Sequence, residues 1–107
     1  MKKLTMLFSG QGSQYVGMGL DLHREFEVVR HTFEEASDIL GFDLKKRCEQ
    51  GSPEELTRTE LAQPAILTVS VSAFRVFMQE FGIEPFRLAG HSLGEYSALV
   101  CAGAITF

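Results

Sequence analysis

The stretch able to do chemistry is Gly90-His91-Ser92-Leu93-Gly94-Glu95-Tyr96. A serine flanked two residues away on each side by glycine, led in by Leu88-Ala89, is the G-x-S-x-G pattern of a nucleophile elbow. Glycine is needed at both flanks because strand and helix approach closely around such a turn, which lifts the serine hydroxyl clear of the backbone. The helix that follows begins with free N–H groups, and that of Leu93 is the natural donor to an oxyanion beside Ser92. The short pattern also arises by chance as an ordinary tight turn. Its flanks favour the chemical reading: small residues at Ala98, Ala102 and Gly103, with Leu99, predict a helix packed tightly on a sheet.

A second candidate is Ser9-Gly10-Gln11-Gly12-Ser13-Gln14, dense in glycine and small polar residues. Glycines on both sides of Gln11 let the main chain approach a ligand and aim an N–H at it. From the local residues alone, a plain strand-to-helix connection is an equal alternative. Phosphate cradling is disfavoured, because no Lys-Ser/Thr follows as a Walker loop requires.

The elements that must position these turns follow from hydropathy. Lys3–Phe8 predicts a buried first strand, and Phe26, Val29, Phe33, Ala36 and Leu40 predict one amphipathic helix from Asp21 to Leu40, stopped by Gly41. His23 and His31 fall among its charged residues and read as solvated surface. Ser52-Pro53-Glu54-Glu55 is a capping box with proline at the first helical position. Gln63-Pro64 opens an apolar helix running to Phe81, closed by Gly82 and apolar on more than one face. Two strands, Leu4–Phe8 and Arg87–Ala89, predict an α/β fold with a parallel sheet, too narrow to stand alone.

Composition bounds the function. The chain has 107 residues, a net charge of −4 and 45% hydrophobic residues, which suits one domain at most and offers no basic patch for nucleic acid. No run approaches the ~18 uninterrupted apolar residues of a membrane span, and Leu4–Phe8 breaks too soon for a signal peptide. A cytoplasmic protein without membrane or nucleic-acid partners is expected. Cys48 and Cys101 have no metal-ligand spacing; both are expected to stay reduced, Cys101 as a small core residue.

Phe8-Ser9-Gly10-Gln11-Gly12-Ser13-Gln14, then Gln63-Pro64-Ala65, then Gly90-His91-Ser92-Leu93-Gly94-Glu95-Tyr96 together resemble the N-terminal part of the malonyl-CoA:acyl carrier protein transacylases, a family that includes polyketide synthase acyltransferases. The resemblance covers the whole chain and about the first third of a family member. It implies that residues 1–107 are an incomplete large subdomain of an α/β-hydrolase-like acyltransferase domain, with the smaller ferredoxin-like subdomain absent. Carried over by position, Ser92 matches the catalytic nucleophile, Gln11 and Leu93 the backbone oxyanion hole, and Gln63 and His91 the acyl pocket. No bound cofactor or metal is implied; the coenzyme A thioester, malonyl-CoA, is substrate and acyl carrier protein the partner. The family often has proline where this chain has Ser9, a loss of some rigidity before the glycine turn.

The resemblance also implies what is missing. In the family the histidine base and the arginine that holds the malonyl carboxylate lie beyond residue 107. His91 is adjacent to Ser92 and poorly placed to take its proton, while Arg75 and Arg87 read as solvent-facing or paired with a glutamate. The expected function is malonyl transfer from coenzyme A to carrier protein in fatty acid or polyketide synthesis, with the isolated chain an inactive fragment. A proofreading acyl hydrolase and a non-catalytic carrier-binding fragment are the alternatives. An α/β-hydrolase esterase fits less well, lacking both the earlier strands and an HGGG-type loop. Helices patterned for strands the chain does not contain predict self-association, a C-terminal complement or marginal stability.

Overall fold

A computed structural model describes residues 4–10, 12–82, 85, 87–90, 93–103 and 107. The element order is β1 (Thr5–Phe8), α1 (Leu20–Glu25), α2 (Glu27–Leu40), α3 (Leu44–Gln50), α4 (Pro53–Thr57), α5 (Thr59–Phe81), β2 (Arg87–Gly90) and α6 (Gly94–Cys101). The fold is α/β with a small parallel sheet: β1 pairs with β2 in the register Thr5↔Arg87, Met6↔Leu88, Leu7↔Ala89 and Phe8↔Gly90.

The single helix expected over Asp21–Leu40 is two. Phe26 adopts an extended backbone (φ −126°, ψ 124°) between α1 and α2. Arg30 stabilises the break, its Nη1 donating to the carbonyls of His23 at 2.8 Å and Arg24 at 3.1 Å, which α1 would otherwise leave without donors. Beyond the break the apolar spacing holds: Val29, Phe33 and Ala36 are buried. Gly41 ends α2 at φ 81°, its N–H donating to Ser37 O. α3 carries no apolar period long enough to announce it; its signal is Asp43, whose side chain caps the Lys46 N–H at 3.1 Å. The N-cap bond of the expected capping box forms, with Ser52 Oγ accepting from Glu55 N and Pro53 opening α4.

Helix α5 starts before Gln63-Pro64, so Pro64 lies inside it rather than at its first position. Its missing N–H deprives one carbonyl, that of Glu60, an exposed residue in the first turn of the helix. α5 is long and apolar enough by composition to cross a membrane, which a count of uninterrupted apolar residues misses. In the fold it packs against α2, α4 and α6. Leu61, Ala62, Ala65, Ile66 and Val71 are buried, but the burial fades toward Phe81, which is 65% exposed. The expectation that this helix would lack partners over part of its surface holds for its C-terminal half.

The main apolar core is made by helices. Val29, Phe33, Ala36, Leu44, Cys48, Leu56, Leu61, Ala62, Ala65 and Ile66 form one cluster, joined by Met18 and by Leu93. The sheet contributes less: Phe8 is buried and meets the Phe74 ring at 6.4 Å, while Thr5, Leu7, Arg87 and Ala89 point to an uncovered face.

Candidate active site

Two glycines build the turn between β2 and α6. A Cβ on Gly90 would overlap the Gly94 carbonyl and the Glu95 nitrogen. A Cβ on Gly94 would overlap the Phe8 carbonyl oxygen and lie 3.1 Å from that of Ser9. The first contact folds the helix back against its own strand. The second seats the elbow on the end of β1, where the Ser9–Gln14 turn begins. The two candidate stretches, some eighty residues apart in sequence, therefore meet.

Each side of this junction is also pinned to the helical core. The Leu93 side chain is buried in the same cluster as Met18. Leu93 has helical dihedrals (φ −54°, ψ −31°) and its carbonyl accepts from Tyr96 N at 2.9 Å, so its N–H lies at the open end of α6 with no intrahelical acceptor. On the other side, Gly17 N–H donates to Cys48 O at 2.8 Å. No motif marks Met18 or Gly17; the available signal was the Gly17-Met18-Gly19 triplet, whose glycines have φ of 87° and 78°.

The turn after β1 is held internally. Ser13 donates to Gly10 O from its backbone at 3.2 Å and from Oγ at 2.7 Å, and Gly12 N–H donates to Gln14 Oε1 at 2.7 Å. Gly12 has φ 107°, a conformation that glycine adopts freely and other residues rarely.

Of the residues singled out in the sequence, Ser92, His91 and Gln11 lie outside the described residues. Leu93 is at the junction. Gln63 is exposed in the second turn of α5. His31 is exposed beside Glu27 (3.5 Å) as expected, but His23 is half-buried, edge-on to Phe33 at 5.4 Å. Burial, then Lys45 and Arg30, lowers its pKa. Arg75 is not simply solvent-facing: it donates to buried Thr32 Oγ1 at 2.9 Å, lies 3.8 Å from Glu35 and stacks over Phe107. Cys101 is half-buried rather than in the core and lines a groove beside β2. Burial pushes its thiol up to about 11, partly opposed by Arg75. Of the small-residue face of α6, Ala98 is buried, while Ala102 and Gly103 are exposed. Among the described residues no group of three or more His, Cys, Asp or Glu could hold a metal.

Residues 5–107 match the family of acyl transferase domains. The chain is 61% identical over 107 residues to a malonyl CoA-acyl carrier protein transacylase of Bacillus subtilis, covering 100% of this chain and 27% of that protein. The malonyl CoA-acyl carrier protein transacylase of Coxiella burnetii superposes with a TM-score of 0.95 at 44% identity, over 98% of this chain and 33% of its own. A malonyl-transacylase solved in complex with a type II polyketide synthase acyl-carrier protein superposes with a TM-score of 0.91 at 54% identity, over 95% and 33%. The chain thus spans about a third or less of the length of these relatives. A match along nearly its whole length, on a fold that brings the elbow to the loop after β1, shows that the chain belongs to the acyl transferase domain family.

Proposed function

We propose that this chain supplies the nucleophile and oxyanion donors of malonyl transfer from coenzyme A to an acyl carrier protein, in fatty acid or polyketide synthesis. Residues 1–107 are then an incomplete large subdomain of an acyltransferase. The observation that carries the reading is the seating of Gly94 on the Phe8 and Ser9 carbonyls, which gives the turn bearing Gln11 and the start of α6 a common neighbourhood.

In this reading Ser92 Oγ attacks the thioester carbonyl, the C–S bond breaks, and coenzyme A leaves as its thiol with the proton Ser92 has lost. The phosphopantetheine thiol of the carrier protein then attacks the malonyl ester, the C–O bond breaks and the proton returns to Ser92. The N–H groups of Gln11 and Leu93 stabilise the oxyanion in both steps, each donor contributing roughly 100- to 1,000-fold. Gln63 and His91 line the acyl pocket. No cofactor takes part.

In this reading His23, packed on Phe33, and His31, beside Glu27, play no part at Ser92, His91 lines the acyl pocket rather than taking the Ser92 proton, and the base comes from outside this chain. The chain alone is therefore an inactive fragment in turnover, since loss of the base costs several orders of magnitude in serine chemistry. At alkaline pH solvent can substitute for it. Intact mass after prolonged incubation with malonyl-CoA at about pH 9 should show one malonyl adduct that is lost in Ser92→Ala. An adduct that persists in the variant, or none on the unaltered chain, overturns the reading.

A further inference from the structure

The turn after β1 is shaped by its own side chains more than by packing. Glycine at positions 10 and 12 gives the chain no preferred direction. A cavity of about 110 Å³, lined by Ser9, Ser13, Ile66 and Ser70, lies between the turn and α5, so the helix does not press the turn into place. Hydrogen bonds do that instead. Ser13 sets two donors on the Gly10 carbonyl, its N–H at 3.2 Å and its hydroxyl at 2.7 Å. Gln14 Oε1 accepts from the Gly12 N–H at 2.7 Å. Gly10 is buried while Ser13 and Gly12 are exposed, so Ser13 reaches inward to grip the inner end of the turn.

A peptide group is planar and trans, so its C=O and the N–H of the next residue point opposite ways. Whatever holds the Gly10 carbonyl therefore sets the direction of the N–H of Gln11. Whatever holds the Gly12 N–H sets the direction of the Gln11 carbonyl in the same way. We infer that Ser13 is a positioning residue for acyl transfer: by gripping the Gly10 carbonyl it aims the Gln11 N–H at the oxyanion. The inference rests on the proposed function for the oxyanion and on the two Ser13 bonds for the aim. Two donors on one carbonyl also polarise that peptide, which strengthens its N–H as a donor. The elbow supplies the fixed reference, because Gly94 is seated against the carbonyls of Phe8 and Ser9, just ahead of the gripped peptide. The Gln11 N–H is thereby aimed relative to Leu93 at the open end of α6. No step of the transfer passes through Ser13, whose hydroxyl hydrogen is already given to Gly10 O.

The test combines two readings on the chain itself: acylation by malonyl-CoA over a range of concentrations at about pH 9, followed by intact mass, and the amide nitrogen shift of Gln11. Ser13→Ala keeps the backbone bond to Gly10 and changes an exposed side chain, so the fold should persist. Its limiting acylation rate should fall ~10-fold, a fraction of what losing a whole oxyanion donor costs. The half-saturating malonyl-CoA concentration should change by less than about 2-fold. Ser13→Thr retains the hydroxyl and should restore the rate. The Gln11 nitrogen shift needs no activity, since it responds to donors on the preceding carbonyl; it should move in Ser13→Ala and return in Ser13→Thr. An unchanged rate in Ser13→Ala overturns the inference, as does an equal slowing in Ser13→Thr or a Gln11 shift that stays put. An unaltered chain that takes up no malonyl group while the Gln11 shift does move overturns the nucleophile reading instead, and leaves the grip of Ser13 standing.

Discussion

The two regions of this molecule reach different degrees of completion. In the helical lobe of α2–α5, Val29, Leu44, Cys48 and Ala62 expose no surface. In the sheet lobe of β1, β2 and α6, Leu7, Leu99 and Tyr96 are exposed. A helix satisfies its own backbone and needs company only along one stripe, so a few short helices around α5 close a core. A strand needs neighbours at both edges and cover on both faces. The candidate chemistry sits in the less complete lobe and borrows rigidity from the other through Leu93, Met18 and the Phe8–Phe74 contact.

The comparison breaks if the helical lobe is not what holds the fold. Phe33→Ala should cost about 3–5 kcal/mol in urea unfolding, whereas Leu7→Ala should cost less than about 0.5 kcal/mol because its side chain is already in water. Similar costs at the two sites would dissolve the distinction. Gly94→Ala should come next, at about 1–3 kcal/mol. The new methyl meets the backbone of Phe8 and Ser9, which cannot rotate away. Its amide shift changes should be confined to β1, β2 and α6; changes spread through α2–α5 would mean the lobes are one unit.

The two thiols sharpen the contrast. Burial pushes both from 9.0 up to about 11, so neither is reactive at neutral pH. Fully buried Cys48 should label only when the helical lobe opens, and half-buried Cys101 at least ~10-fold faster at pH 8. Equal rates would argue that both lobes open together. The sign of the pH effect on stability follows: the unfolded thiols ionise near 9 and the folded ones near 11. Their contribution is complete below pH 9 and lost as pH rises toward 11, a fall that Cys48→Ala should reduce. A modest effect is expected for Ser52→Ala, about 1 kcal/mol for the lost cap of α4, measured by thermal or urea unfolding.

Much of this was legible in the residues. Apolar spacing located α2, the capping box located α4, and Gly41 and Gly82 marked two helix ends, because each signal is local. The break at Phe26 was not legible, since it depends on Arg30 reaching back to two carbonyls across the gap. Pro64 misled by analogy with proline at helix starts, when its missing N–H costs only the one bond to the carbonyl of exposed Glu60 near the start of α5. α3 is short enough that its cap, rather than its periodicity, carries it. A glutamate partner for Arg75 was among the expectations and Glu35 fills it, but only the approach of α2 shows that buried Thr32 accepts from it as well.

The sequence by itself determined the two glycine-rich turns, the serine between Gly90 and Gly94, and the order of strands and helices, because each depends on residues a few positions apart. Only the tertiary structure decided that the turn after β1 lies against the elbow and that Met18 and Leu93 share one core. It also decided that Leu7 and Ala89 are left facing water. Those outcomes depend on pairing β1 with β2 across some eighty residues, and long-range pairing follows from how the whole chain packs rather than from any local run.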